Sequence, residues 1–251
     1  MKTQVRPVVE RELAETCKPA ISLFFPVYND VHTIRPMTLR ALDVLDDIAS
    51  DYEIVIVNDG SSDDSGAIAD ALAREFAAVR VVHHQRNRGY GAAIQTGLKE
   101  ATRYPWVCFT DGDNQYDVGE LLHMTRLLDR YDLIIGFRLR KIYGPLRIAM
   151  SATMNWVVRR LFGYRFRDLT CGLKLARREV LDDIRVTCGS PFVGGEIVLR
   201  AAVRGYRIGE VGISTYPRKH GDSAVISLPN IVATVKDVLR LRREIFHNDS
   251  I

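Results

Sequence analysis

Between Ile21 and Gly136 the chain alternates short apolar runs with helical patterns, and no other feature limits its fold as much. Residues 21–27, 53–57, 79–83, 106–109 and 133–136 are rich in strand formers and bounded by turn residues. The stretches between them carry apolar side chains at helical spacing. The first, to about Ala49, has Ile34, Leu39, Leu42, Leu45 and Ile48. Others cover roughly 64–77, 89–101 and 118–130. Ser61, Ser62 and Asp63 can cap the helix that follows them. Buried strands alternating with helices predict βαβ units and a mainly parallel central sheet flanked by helices.

The second half is less regular. Residues 146–162 predict an amphipathic helix with a wide apolar face. Segments 172–176 and 207–216 are strand candidates, and 231–246 predicts a further helix. Its apolar residues are Ile231, Val235, Val238, Leu239 and Ile245, and its bases Lys236, Arg240, Arg242 and Arg243. Core packing is the default for both long helices. Docking on a membrane surface is the sharper alternative, because a basic amphipathic helix can lie on anionic headgroups. No internal repeat, low-complexity tract or clear linker breaks the chain. The expected layout is a polar lead-in at 1–19, one domain at 20–225 and a C-terminal amphipathic helix at 226–251.

At 251 residues, 47% of them hydrophobic, the chain can bury one large core. Its net charge of +4 says little, but the distribution says more. From Phe137 to Arg167 there is no acid, against the bases Arg138, Arg140, Lys141, Arg147, Arg159, Arg160, Arg165 and Arg167. A segment this one-sided usually faces anions. The bland readings are a solvated basic face or RNA contact. Cys17, Cys108, Cys171 and Cys188 form no C-x-x-C pair, which fits free thiols, with Cys108 as a small buried hydrophobe. The N-terminus has no apolar signal core, and no apolar run approaches the roughly 18 residues of a span. A cytoplasmic protein, or one held only at the membrane surface, is expected.

The predicted fourth strand runs into FTDGDNQYD, residues 109–117. Open α/β sheets bind their ligands outside the carboxyl ends of the strands, which is where Asp111 and Asp113 fall. Hard cations such as Mg²⁺ combine one or two carboxylates with substrate phosphates. A plain Asp-Gly-Asn turn is the alternative. The first strand ends in FPVYND, where Pro26 and Tyr28 can wall a flat pocket and Asp30 can accept a hydrogen bond. The second ends in VNDGSSD, where Asp59 can accept an N–H from a nucleobase or a ribose hydroxyl. Three acid-tipped strands of one parallel sheet converge on one edge. GYGAAIQTG at 89–97 lacks the third glycine of a dinucleotide fingerprint and reads as a glycine turn before a helix. His83 and His84 are adjacent, so a strand would part them.

FPVYND, VNDGSSDDSG, NRGYGAAIQTG and DGDNQYD, in this order, resemble the family-two glycosyltransferases with the GT-A fold. The similarity is greatest to the dolichol-phosphate mannose synthase-like, or polyprenyl-phosphate glycosyltransferase, branch. GFR at 136–138, PLR and then Ser151, RDLTCGLKL at 167–175 and YPRKHGDS at 216–223 extend it. The resemblance implies a GT-A-like, Rossmann-like α/β fold and an inverting transfer. It implies that Pro26, Tyr28, Asp30, Val57 and Asp59 bind the nucleoside. Asp111 and Asp113 match the D-x-D that holds Mg²⁺ or Mn²⁺, with Gln115 as a further ligand. Arg138 and Arg147 match arginines that bind the acceptor's phosphate, and Arg218 one that reaches the diphosphate from a loop. The chain departs from the pattern at Ala224, where relatives often carry Lys, and many relatives add C-terminal membrane spans.

The sequence therefore predicts transfer of a sugar from a UDP- or GDP-sugar to a polyprenyl phosphate at a membrane surface. Uridine and guanosine both remain open, and so does a separate membrane-spanning partner. A phosphomonoester is largely dianionic at neutral pH, so it needs positioning and not a general base. The runner-up is transfer to a hydroxyl, with Asp168 or Glu196 as base. The non-enzyme alternative, a basic nucleic-acid-binding module, explains the arginines but not the acidic strand ends.

Overall fold

A computed structural model of the protein describes residues 18–140, 145–217 and 227–247. The first half follows the predicted alternation: β1 (Ala20–Val27), α1 (Ile34–Ile48), β2 (Asp51–Asn58), α2 (Ser65–Glu75), β3 (Val79–His83), α3 (Tyr90–Glu100) and β4 (Trp106–Phe109). A 3-10 turn (Val118–Glu120) and the short α4 (Leu121–Thr125) lead to β5 (Leu133–Arg138). Then come α5 (Pro145–Phe162), β6 (Lys174–Arg177), α6 (Arg178–Asp183), α7 (Val193–Val203), β7 (Ile208–Ile213) and α8 (Leu228–His247).

The strands form one sheet in the order β3-β2-β1-β4-β6-β5-β7. All pairs are parallel except the two made by β6, which runs against β4 and β5. Side chains of β1 alternate between two cores, as strand geometry requires. Ile21, Leu23 and Phe25 pack with α1 and α2, while Phe24 joins Val55, Val57 and α3 on the other face. That second core also takes Val198 of α7 and Val238, Leu241 and Ile245 of α8, so α8 is anchored to the sheet layer by these side chains. Cys108, Cys171 and Cys188 are free and buried, as read for Cys108, and burial pushes the Cys108 thiol far above its ordinary range.

The predicted helix at 118–130 is shorter than expected. After Thr125 the chain turns through i to i+3 bonds, Leu127 N–H to Met124 and Arg130 N–H to Leu127, and does not continue as α-helix. The predicted strand at 172–176 is displaced to β6, the one at 207–216 shrinks to β7, and α6 and α7 add to the predicted elements.

Candidate active site

The carboxyl ends of β1, β2, β4 and β5 lie along one edge of the sheet. Because β6 is reversed, the residues that precede it reach the same edge. Pro26, Val57 and Arg138 end their strands at this edge, and Tyr28, Asp30, Asp59, Asp111, Asp113, Gln115 and Asp168 lie in the loops that follow or precede the strands there.

The D-x-D crosses directly over the end of β1. A Cβ on Gly112 would stand 2.1 Å from the Pro26 carbonyl oxygen, so only glycine fits between the acids. Thr33 Oγ1 donates to the Gly112 carbonyl at 3.2 Å and ties the loop to the start of α1. Asp113 Oδ1 accepts the Gln115 N–H at 3.0 Å across Asn114, whose φ of 57° turns the chain. Asp111 Oδ1 accepts the Tyr90 hydroxyl at 2.5 Å. Burial, and then the like charge of Asp113, push Asp111 up to about 6. Tyr90 rises well above its ordinary value through burial and the Asp111 charge. The backbone carbonyl of the buried Gln115 accepts the Tyr216 N–H at 3.0 Å, and Tyr116 bridges to Thr215. The segment that leads to residue 218 thus docks beside the acids.

Two loops stitched together form the neighbouring floor. Asn29 Oδ1 accepts the Ser62 N–H at 2.9 Å, Asp30 N–H donates to Ser65 Oγ at 2.9 Å, and Asp63 Oδ2 accepts the Val31 N–H at 3.3 Å. Pro26 and Val57 pair in register at the ends of β1 and β2, and half of Tyr28 is exposed beside them. Asp30 Oδ2 accepts the Tyr28 N–H at 3.1 Å. Asp59, the expected nucleoside contact, is already engaged by the chain. It is 3% exposed, and its oxygens receive the Arg88 and Gly89 N–H groups, each at 2.9 Å, while Oδ1 pairs with His84 Nδ1 at 2.6 Å. Its carboxylate fixes the loop after β3. His83 instead contacts Asn58 and Asp70, so the adjacent histidines part as predicted.

The basic side of the site is built as a buried pair. Arg138, the last residue of β5, donates from Nε to Asp168 Oδ2 and from Nη2 to Asp168 Oδ1, and Nη2 also reaches Thr170 Oγ1 at 3.1 Å. Lys174 is fully buried, donates to the Cys171 carbonyl and lies 5.6 Å from the centroid of the Phe109 ring. Burial lowers its pKa, while Cys171, Asp111 and Asp168 oppose that shift. Glu196 is wholly buried and accepts from Thr187 N–H at 2.9 Å and Cys188 N–H at 2.7 Å, with Arg200 alongside. The Arg147 side chain, Arg218 and Ala224 lie outside the described residues.

The donor set fits a divalent cation. The charge of Asp113 lies close enough to raise the proton affinity of Asp111, and an amide side chain follows two residues on. Among the described residues no third His, Cys, Asp or Glu closes a cage around them. That leaves coordination positions for phosphate oxygens, the arrangement Mg²⁺ commonly adopts.

The sequence model described as glycosyl transferase family 2 matches residues 22–185. The chain belongs to glycosyl transferase family 2. This family 2 enzyme is 30% identical over 207 residues to the dodecaprenyl-phosphate galacturonate synthase of Rhizobium johnstonii, a match over 81% of this chain and 61% of the relative. It is 30% identical over 165 residues to the undecaprenyl-phosphate 4-deoxy-4-formamido-L-arabinose transferase of Sodalis glossinidius, over 64% of this chain and 50% of that one. It thus spans about half to three fifths of their lengths. Among solved structures, glucosyl-3-phosphoglycerate synthase of Mycobacterium tuberculosis, in complex with Mn²⁺, UDP and phosphoglyceric acid, superposes with a TM-score of 0.69. That match has 19% identity over 90% of this chain and 78% of the other, and it establishes the GT-A-like fold.

Within this glycosyltransferase, sequence reasoning missed Tyr90, Thr170 and Lys174. Tyr90 had one signal, its place in the NRGYG turn after β3, and Lys174 had another, a charge inside the apolar run GLKLA.

Proposed function

We propose that the protein transfers one sugar from a UDP- or GDP-sugar to a polyprenyl phosphate, with inversion at the anomeric carbon. The observation that carries this reading is the state of the two acids that a hydroxyl acceptor would need as bases. Asp168 gives both oxygens to Arg138, and Glu196 is wholly buried on a loop and an arginine. A phosphate acceptor needs neither, being dianionic near neutral pH. The names of the two relatives, each a polyprenyl-phosphate sugar enzyme, support the same acceptor.

In this reading Pro26, Tyr28, Asp30 and Val57 receive the nucleoside, and Asp59 shapes their pocket by holding the loop after β3. Asp111, Asp113 and Gln115 hold Mg²⁺ or Mn²⁺. The bound cation supplies charge stabilisation to the departing diphosphate. Arg218, two residues beyond the docked Tyr216, adds positive charge to the same group. Arg138 and Arg147 orient the acceptor phosphate, for which the two-pronged guanidinium is suited.

A polyprenyl tail holds its bearer in the bilayer, at about 0.8 kcal/mol for each CH₂ removed from water. The enzyme therefore works at the cytoplasmic membrane surface. Exposed Leu228, Val232, Val235 and Leu239 on α8, exposed Trp156 on α5 and the bases Lys236, Arg242 and Arg243 support peripheral docking. No described helix is long and apolar enough to cross a membrane, and a separate membrane-spanning partner would serve as an anchor.

The test is a transfer screen with radiolabelled UDP- and GDP-sugars, in Mg²⁺, Mn²⁺ or EDTA, offering undecaprenyl phosphate or free-hydroxyl acceptors. The expected product is a lipid-phosphate sugar that forms only with metal. Transfer to hydroxyls and none to the lipid phosphate would reverse the acceptor assignment.

A further inference from the structure

Tyr90 touches the first acid of the D-x-D and is held there from behind. Its hydroxyl donates to Asp111 Oδ1 at 2.5 Å. The other oxygen of the carboxylate is confined too, since a Cβ on Gly172 would lie 2.4 Å from Asp111 Oδ2 and 2.8 Å from the Tyr116 ring. The acid is thus fixed between a phenol on one side and bare backbone on the other.

The phenol's own position is set by close packing. The next residue, Gly91, lies so near the 188–189 backbone that a Cβ would stand 2.4 Å from the Gly189 carbonyl. Gln95 Nε2 donates to the Cys188 carbonyl at 2.9 Å. Glu196 in turn holds that loop through the Thr187 and Cys188 N–H groups. The start of α3 is therefore clamped to the loop before α7, and Tyr90 projects from the clamped turn.

We propose that Tyr90 is a positioning residue for the cation site. Its hydroxyl holds Asp111 in the orientation in which the D-x-D takes a divalent cation, and so sets metal affinity without meeting the substrate. This rests on the reading of Asp111 and Asp113 as cation ligands. A carboxylate has roughly four lone-pair sites, so one bond from a phenol leaves room for a cation. Outer partners of this kind commonly change metal affinity by about 10- to 100-fold when removed.

The experiment is calorimetric titration of UDP and of GDP into the full chain, with Mn²⁺ or with EDTA. Tyr90→Phe keeps the ring and removes the donor. It should weaken Mn²⁺-dependent nucleotide binding by about 10- to 100-fold and leave the residual binding in EDTA unchanged. The double variant Tyr90→Phe, Asp111→Asn should be no weaker than Asp111→Asn alone, because the phenol acts through that acid. Full Mn²⁺ affinity in Tyr90→Phe, with Asp113→Ala having lost it, overturns this inference and spares the cation reading. Asp113→Ala that keeps metal-dependent binding overturns both. Loss of cooperative unfolding by Tyr90→Phe in EDTA would assign the phenol to the fold and also overturn the inference.

Discussion

Asp168 grips the guanidinium of Arg138 with both carboxylate oxygens, at 2.5 Å from Nε and 2.7 Å from Nη2. The two side chains are 2% and 6% exposed, so the pair is nearly dry. Any anion that meets Arg138 does so with Asp168 already in place. The arginine is thus both part of the fold and a candidate contact for the acceptor.

This double role separates two substitutions. Arg138→Ala strands a buried carboxylate, and breaking a buried pair costs about 3–5 kcal/mol. Its urea unfolding midpoint should fall sharply. Arg138→Lys keeps the charge but loses the fork, so stability should fall less. Transfer to polyprenyl phosphate should drop about ten- to a hundredfold, while nucleotide affinity by calorimetry stays near wild type. A loss of nucleotide affinity with normal acceptor turnover would exchange the two phosphate assignments.

Asp111 gives a pH signature in the absence of metal. Burial and Asp113 raise its carboxyl to about 6. A carboxyl raised on folding binds its proton more tightly in the folded chain. Its contribution to stability is complete at low pH and is lost as pH rises through about 6. Asp111→Asn removes the titration. In EDTA the variant should melt about 6–12 °C above wild type at pH 8 and nearly level with it at pH 4, from a difference of roughly 3 kcal/mol. Added Mn²⁺ with nucleotide should reverse the order at pH 8. Equal melts at both pH values would place Asp111 in an ordinary solvated setting.

Gly97 shows why α3 lies so close to β1. A Cβ there would stand 2.1 Å from the ring of Phe24, which is fully buried and stacks on Phe109 at 5.5 Å. Gly97→Ala should lower unfolding free energy by about 1–3 kcal/mol through overpacking. Helix propensity returns less than about 1 kcal/mol of this. Urea denaturation should show a lower midpoint with an unchanged slope.

Membrane binding is tested with vesicles. Arg240 is a poor probe, because it reaches Asp237 and the Thr187 carbonyl. Lys236, Arg242 and Arg243 are other exposed bases of α8. Cosedimentation with phosphatidylglycerol vesicles should fall as salt rises, and Gln at these three positions should weaken it by on the order of 1 kcal/mol per base. Protein that stays in the supernatant even at low salt would remove α8 from the account.

Much of the sheet was legible because its parallel strands are covered on both faces and read as unbroken apolar runs. Asp111 and Asp113 were legible for a related reason, since they follow such a run. The inward turn of Asp59 was not, because its partners His84, Arg88 and Gly89 are contributed by the loop after another strand. Nor was the Arg138–Asp168 pair, whose members are 30 residues apart and meet only because β6 is reversed. Helix α7 was hidden by Gly194 and Gly195, which read as breakers. Yet Gly195 packs on Phe192 and Gly194 lies beside the Lys174 ammonium, so both serve close contact.

The reversed strand also gives the protein a seam. β3, β2, β1 and β4 come from the chain up to Phe109, and β6, β5 and β7 from the chain after it. One ladder of four residue pairs joins the two sets, from Trp106 opposite Arg177 to Phe109 opposite Lys174. The loops that carry Tyr28, Asp30 and Asp59 belong to one set, and the segment that carries Asp168 and Thr170 to the other. Side chains close what the ladder leaves open, since both cores draw from both sets and α3 is clamped to the loop before α7, so the two sides of the seam must change together.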